Sequence, residues 1–323
     1  MRTLLACMNF NICASFSISK EYSTSEDIEK GSALVDKKVL LTREGLVKFT
    51  LTTLKKYGIR PRKKLGQHFL VDPKLLNVIV NGLELRGNEV VAEIGSGIGT
   101  LTLFLAQRCK KVIAIEIDHK LVNVLQDVLK DHDNVEIIHA DVLSLKLNVD
   151  RIASNVPFNI SSQLLEHILK KCRFKIAVLT FQLEFAKRLY AKPGTRDYSR
   201  ITILATYYST IRKLYTAPPS SFIPEPKVFT QTLKIMLRER PPFDVRDEDF
   251  LFNVVRELFT LRNKMLRKAL RIACRNMRVG YEVLDKALRE LSTLLDMRVY
   301  ELRPIDFAYI ANVLFDLMKE SSS

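Results

Sequence analysis

Three glycines at alternate positions, Gly95, Gly97 and Gly99, follow the apolar run VVAEI and open the stretch TLTLFLAQRC. Glycines there let a chain turn sharply out of a buried strand and bring its backbone amides against a ligand at the head of a helix. A dinucleotide fingerprint reads GxGxxG, but here the third glycine comes one residue early and Thr100 stands where that motif wants glycine. The tighter spacing suits S-adenosylmethionine, which has no pyrophosphate to accommodate. Glu116 closes the next apolar run, 17 residues after Gly99, where a carboxylate can accept hydrogen bonds from ribose hydroxyls. Asp141 follows a third run, IIHA, where a carboxylate can receive an adenine amino group. A fourth run ends in Asn155, Val156, Pro157 and Phe158. The nitrogen of an adenine amino group is a poor nucleophile because its lone pair is delocalised into the ring. An Asn oxygen and a backbone carbonyl before or at a proline can accept its N–H bonds and turn the lone pair toward an electrophilic methyl. An aromatic ring can stack on a base that is unpaired or flipped out. Each feature alone is an ordinary loop feature; their recurrence at successive strand ends points to a cofactor site beside an amine-binding turn.

Such groups converge only if the elements before them lie side by side. VVAEI, VIAIEI, VEIIHA, RIASNV and IAVLTF have strand length and alternate with the amphipathic stretches LTLFLAQRC, HKLVNVLQDVLK and SSQLLEHILKK. That alternation predicts βαβ units and a parallel sheet covered on both faces. After Pro241 and Pro242 the strand-like runs stop, and Glu248 to Lys319 reads as helical throughout. The fold class expected is therefore α/β, a Rossmann-like S-adenosylmethionine-dependent methyltransferase sheet with a smaller all-helical C-terminal domain. The expected division is 1–44 as a poorly ordered extension, 45–240 as the methyltransferase domain and 241–323 as a helical RNA-binding domain. The acids Glu21, Glu26, Asp27 and Glu29 argue against a transit peptide in the first segment.

LGQHFLVD at 65–72, EIGSGIG at 93–99, NVPFNIS at 155–161, QLEFAKRL at 182–189, SFIPEPKV at 221–228 and LRNKMLRKAL at 261–270 occur in one order and spacing. In these segments the chain, from about Tyr57 to about Asn312, resembles the KsgA-type ribosomal RNA adenine dimethyltransferases, in wording closest to archaeal members. The resemblance implies that His68 and Leu70 contact the cofactor together with Gly95, Gly97, Glu116, Asp141 and Asn155. It implies that Asn155, Pro157 and Phe158 hold the target base and that Phe222 closes its other side. It also implies the product, two adjacent N6,N6-dimethyladenosines in a hairpin loop near the 3′ end of small-subunit ribosomal RNA. The family's usual Leu and Tyr are replaced by Val156 and Phe158, and its usual basic residue after Gln182 by Leu183.

The charge agrees with a nucleic-acid partner. The 323 residues hold 51 Lys and Arg against 36 Asp and Glu, a net of +15. Residues 54–238 alone hold 29 basic and 16 acidic side chains. Arg62, Lys63 and Lys64 end one basic cluster; Arg262, Lys264, Arg267, Lys268, Arg271, Arg275 and Arg278 form another, expected along a helix face. RNA phosphates are the expected ligand of Arg62, Lys63, Lys64, Lys264, Arg267, Lys268 and Arg271. No run of about 18 apolar residues marks a membrane span. Cys7, Cys13, Cys109, Cys172 and Cys274 lack CxxC spacing and read as reduced thiols, and no metal is expected. The reading is a cytoplasmic monomer acting on ribosomal RNA in a pre-ribosomal particle. Its rivals are an adenine or glutamine N-methyltransferase with another substrate, a non-catalytic RNA-binding assembly factor, and a dehydrogenase, which the glycine spacing disfavours.

Overall fold

A computed structural model describes residues 42–62 and 65–321. Residues 1–41, and with them almost all of the N-terminal extension, lie outside the described residues, as do Lys63 and Lys64. Elements α1 (Arg43–Lys56), β1 (Phe69–Leu70) and α2 (Pro73–Gly82) lead into the βα series. That series runs β2 (Val90–Ile94), α3 (Thr100–Ala106), β3 (Lys111–Glu116), α4 (His119–Val128), β4 (Val135–His139), β5 (Arg151–Asn155), α5 (Ser161–Lys171) and β6 (Ile176–Gln182). Residue chemistry sets the starts: Asp72 accepts from Lys74 N at 2.8 Å ahead of Pro73, and Asp118 accepts from Lys120 N at 3.1 Å. Short polar side chains at those positions satisfy amides that the first helical turn cannot.

Seven strands form one sheet in the order β4-β3-β2-β5-β6-β9-β7, with β7 spanning Ser209–Ala217 and β9 Thr230–Leu237. The five strands expected from sequence are parallel neighbours, and the sheet is widened by β9, antiparallel to both β6 and β7. The expected purely parallel sheet is thus a mixed one. Strand β7 is an edge strand whose exposed Arg212, Lys213 and Thr216 break up the apolar run that marks the inner strands. The chain leaves β2 toward β3 and β4, then returns on the other side as β5. This reversal opens a crevice at the carboxyl ends of β2 and β5, the usual ligand position in such sheets. A second ladder joins β1 to β8 (Phe222–Ile223), with Leu70 opposite Phe222.

Helices α6 (Leu183–Leu189) and α7 (Arg200–Tyr208) precede Pro241 and Pro242; beyond them the C-terminal part is α8 (Glu248–Thr260), α9 (Leu266–Asn276), α10 (Tyr281–Glu290) and α11 (Pro304–Glu320). Leu258, Leu270, Phe307 and Leu314 are fully buried in one core that also takes in Tyr198, Ile203 and Tyr207. The Tyr198 hydroxyl donates to Leu302 O at 2.7 Å, so this core reaches back across Pro241 and Pro242. Helix α9 is shorter than the expected basic face: Lys264 precedes it, and Arg278, at φ 59°, follows it. Lys268, Arg271 and Arg275 stand exposed along it, opposite buried Ala269, Leu270 and Ala273. Arg262 is held inward, donating to the carbonyls of Arg196 at 3.0 Å and Thr195 at 3.3 Å over the Tyr300 ring. No described helix is long and apolar enough to cross a membrane. The described cysteines, Cys109, Cys172 and Cys274, are buried free thiols.

One acid lies inside the core. Glu93 on β2 is buried beneath α3, accepts from Thr102 Oγ1 at 2.6 Å, and burial, with Glu116 nearby, pushes its carboxyl up to about 8. Because the folded pKa exceeds the unfolded one, the native state holds this proton where the unfolded chain has lost it. Stability is therefore highest below the ordinary carboxylate range and falls as pH rises toward 8. Glu93→Gln keeps an acceptor for Thr102 and removes the titration. Its stability relative to the unmodified protein should rise by about 1.4 kcal/mol per pH unit across that window. Denaturant unfolding at pH 5.5, 6.5 and 7.5 measures the difference, and a pH-independent difference would contradict the buried neutral acid.

Candidate active site

A cleft with about 820 Å³ between its walls opens at the crevice, lined by His68, Gly95, Gly97, Glu116, Asp141, Asn155 and Pro157 among others. Seven residues expected from sequence thus come together from four strand ends and the segment before β1. Parallel pairing of Glu93 with Ala153 carries Gly95 up beside Asn155. A methyl group added to Gly95 would sit 3.5 Å from Pro157 Cγ, which measures how closely the two turns approach.

The glycine turn is tied to the acid on the next strand. Gly97, at φ +59°, directs its N–H to Glu116 Oε2 at 2.9 Å, while Ile117 N and Asp118 N both donate to Oε1 at 2.9 Å. Burial raises the Glu116 pKa, and the three backbone bonds oppose that rise. The carboxylate is thereby fixed in orientation, able to accept further hydroxyl donors from the cleft. Asp141 is exposed; one oxygen caps its own turn by accepting from Leu143 N at 2.9 Å.

Asn155 carries the most informative geometry. Its Nδ2 donates to the backbone carbonyl of His68 at 2.7 Å. A carbonyl can only accept, so the nitrogen end of the amide must face His68 and the oxygen end must face the other way. That oxygen, Oδ1, is buried and has no hydrogen-bond partner among the described residues. A buried acceptor left unmatched costs about 1–3 kcal/mol, so the site is built for a donor supplied from outside the chain. A primary amine is such a donor.

His68 links the parts around this turn. Its Nδ1 lies 2.7 Å from Pro224 O, and its ring stacks on Phe158 with centroids 5.0 Å apart. Phe158 is therefore covered on one face by His68. Leu70 and Phe222 do not line the cleft: they are opposite one another in the two-stranded ladder, 5% and 0% exposed. Phe222 is fully buried here, where the resemblance implied that it closes the far side of the target base. Arg62 lies 3.6 Å from Asp118 at the margin of the site, and Arg267 pairs with Asp296 at 3.4 Å.

The structure adds residues that spacing did not single out. Gln67 bridges Arg62 N, at 2.8 Å from its Oε1, and Asp118 Oδ2, at 2.9 Å from its Nε2, which pins the LGQHF segment over the cleft. Gly66, at φ +63°, leaves room for that segment, since a Cβ there would fall 2.9 Å from Phe158 N. Ile117 lines the cleft half exposed. A large apolar residue directly after a functional acid was the available signal for it. Among the described residues no group of three or more His, Cys, Asp and Glu could hold a metal ion.

Residues 58–313 match the model of the family described as ribosomal RNA adenine dimethylase. A ribosomal RNA small subunit methyltransferase A from Streptococcus thermophilus is 36% identical over 277 residues, 82% of this chain and 96% of the relative. A counterpart from Methanosphaera stadtmanae is 37% identical over 269 residues, 82% of this chain and 97% of its own length. Among solved structures, a dimethyladenosine transferase from Plasmodium falciparum superposes with a TM-score of 0.66 at 28% identity, covering 77% of this chain and 98% of that one. The 23S rRNA methyltransferase ErmE superposes at 0.57 with 25% identity, covering 76% and 99%.

Asn155→Ala removes both the unmatched acceptor and the bond to His68. Methyl transfer to an adenine amine should fall about a hundredfold or more, since misplacing a reacting group costs on that scale. S-adenosylmethionine binding measured by calorimetry, alongside labelled methyl transfer, checks that the larger loss is in turnover.

Proposed function

Because the chain belongs to the ribosomal RNA adenine dimethylase family, we propose that it transfers methyl groups from S-adenosylmethionine to the amino groups of two adjacent adenosines. These lie in a hairpin loop near the 3′ end of small-subunit ribosomal RNA within a pre-ribosomal particle. The observation that carries the reading is the buried, unpartnered Oδ1 of Asn155 at the mouth of a turn whose cleft also holds Glu116 and Asp141.

S-adenosylmethionine supplies, when bound, a methyl group on a positively charged sulfur that leaves as a neutral thioether. Glu116 would receive the ribose hydroxyls and Asp141 the cofactor's adenine amino group, with Gly95 and Gly97 lining the cleft between them. Asn155 Oδ1 accepts one N–H of the target amine. Pro157 O already accepts from Ile160 N at 3.1 Å, which favours the Val156 carbonyl as the second acceptor. Two acceptors on the side of the base away from the methyl group would pull the N–H bonds out of the ring plane, which frees the nitrogen lone pair from conjugation and presents it to the methyl carbon. Phe158 offers the ring face not covered by His68 to the base. Stacking needs only the ring, so the missing tyrosine hydroxyl removes no step. After transfer the nitrogen releases a proton to water, and no strong general base is required.

The RNA would track over cations that the fold leaves open. Lys264, Lys268 and Arg271 are exposed, and no ion pair among the described residues engages them. The experiment that tests the function is incubation of the full chain with labelled S-adenosylmethionine and undermethylated small subunits, followed by mapping of the label. Label in two adjacent adenosines near the 3′ end is expected; label confined to DNA or protein would overturn the reading. Replacing Lys264, Lys268 and Arg271 together with Ala should weaken RNA binding and reduce its logarithmic salt slope by about two. Affinity for S-adenosylmethionine should not change, and an equal loss there would remove these residues from the RNA surface.

A further inference from the structure

At the carboxyl ends of the strands, beyond the cleft, one large aromatic side chain stands open. Phe229 is 50% exposed, directly before β9. Scattered exposed apolar side chains are normal. Among the large ones left exposed in the described residues, however, only Ile117 and Phe229 adjoin sheet strands, and Ile117 already lines the cleft.

Its placement follows from the register. Asn155 pairs with Thr180 on β6, and Gln182, two residues on, pairs with Thr230 on β9. Extending the antiparallel pairing puts Leu183 opposite Phe229, and Leu183 N donates to Phe229 O at 2.9 Å. Phe229 therefore lies two strands across from Asn155 and three residues further along, roughly 14 Å away. The loop leading to it starts at the site itself, where Pro224 O meets His68 Nδ1 at 2.7 Å. Pro224 and Pro226 restrict that loop, Pro226 is buried, and Thr230 is locked into the sheet. The ring thus stands on a stiff backbone, which lowers the entropy lost when something stacks on it.

The neighbours suit a base more than a phosphate. Leu183, the first residue of α6 and the backbone partner of Phe229, occupies the position where the resemblance leads one to expect a cation, so no charge stands there. One exposed cation, Lys227, stands two residues away on the same loop. An aromatic face with a lysine beside it is the combination that holds single-stranded nucleic acid without reading its sequence. We propose that Phe229 is a stacking platform for an unpaired nucleotide flanking the target adenosine, with Lys227 near that nucleotide's phosphate. This rests on the RNA reading above and assigns that reading a second contact outside the amine pocket.

Steady-state methylation of undermethylated small subunits by the full chain tests it, with S-adenosylmethionine affinity measured in parallel. Phe229→Ala should raise KM for the subunits about tenfold, within the range for removing one stacked base, and leave kcat and cofactor affinity unchanged. Phe229→Trp should restore KM; Phe229→Leu, which keeps the apolar bulk without a ring face, should not. An unchanged KM in Phe229→Ala, or equal rescue by Leu and Trp, would overturn the platform. A loss seen with intact subunits but absent on protein-free RNA of the same sequence would assign Phe229 to a protein contact and overturn it too. Failure of the unmodified chain to methylate RNA at all would instead strike the function, so the two failures are distinguishable.

Discussion

The hydrogen bond from Asn155 Nδ2 to His68 O decides what this site can do. It removes the amide's freedom to flip and leaves a buried acceptor with nothing among the described residues to satisfy it. Everything needed to hold that arrangement is brought in from elsewhere. The segment carrying His68 is fastened by Gln67 to Asp118, and Gly66 lets it pass close to Phe158 N. The His68 ring is held in turn by Pro224 O and packs on Phe158. An amine-binding turn would be loose on strand β5 alone; here three distant segments brace it.

The second constraint is the crossover between β2 and β5. Parallel strands whose helices lie on both faces must leave an opening where the direction of winding reverses. Gly95, Glu116, Asp141 and Asn155 all follow from being at strand ends around that opening. Glu116 shows how the fold manages a buried acid at the site, with three backbone amides opposing the cost of burial. Glu93, in register with Ala114 two residues before Glu116, has only a side-chain partner, and burial pushes its carboxyl up to about 8.

The net charge has a physical location. Most of the positive excess falls in residues 54–238, the part that also builds the cleft. In the C-terminal part, the cations of α9 differ in availability. Lys268, Arg271 and Arg275 are open, whereas Arg262 is turned inward onto carbonyls and the Tyr300 ring. A run of like charges in a sequence does not say which of its members face solvent, because that depends on what packs against each one.

Sequence alone determined the five parallel strands, the glycine turn, the two acids and the Asn155 turn. Those follow from local rules: apolar run length, backbone conformations open to glycine, and the position of polar groups at strand ends. Tertiary structure decided what depends on contacts between segments far apart. Strand β9 enters antiparallel beside β6, and the exposed edge strand β7 has too little apolar periodicity to announce itself. Phe222, placed by resemblance at the base pocket, is buried because its ladder partner Leu70 draws it into the core. Which end of Asn155 faces the cleft and which face of Phe158 is open were settled by His68, 87 and 90 residues away, and which aromatic stands exposed on the catalytic edge by packing, since no local pattern encodes a carbonyl from another segment.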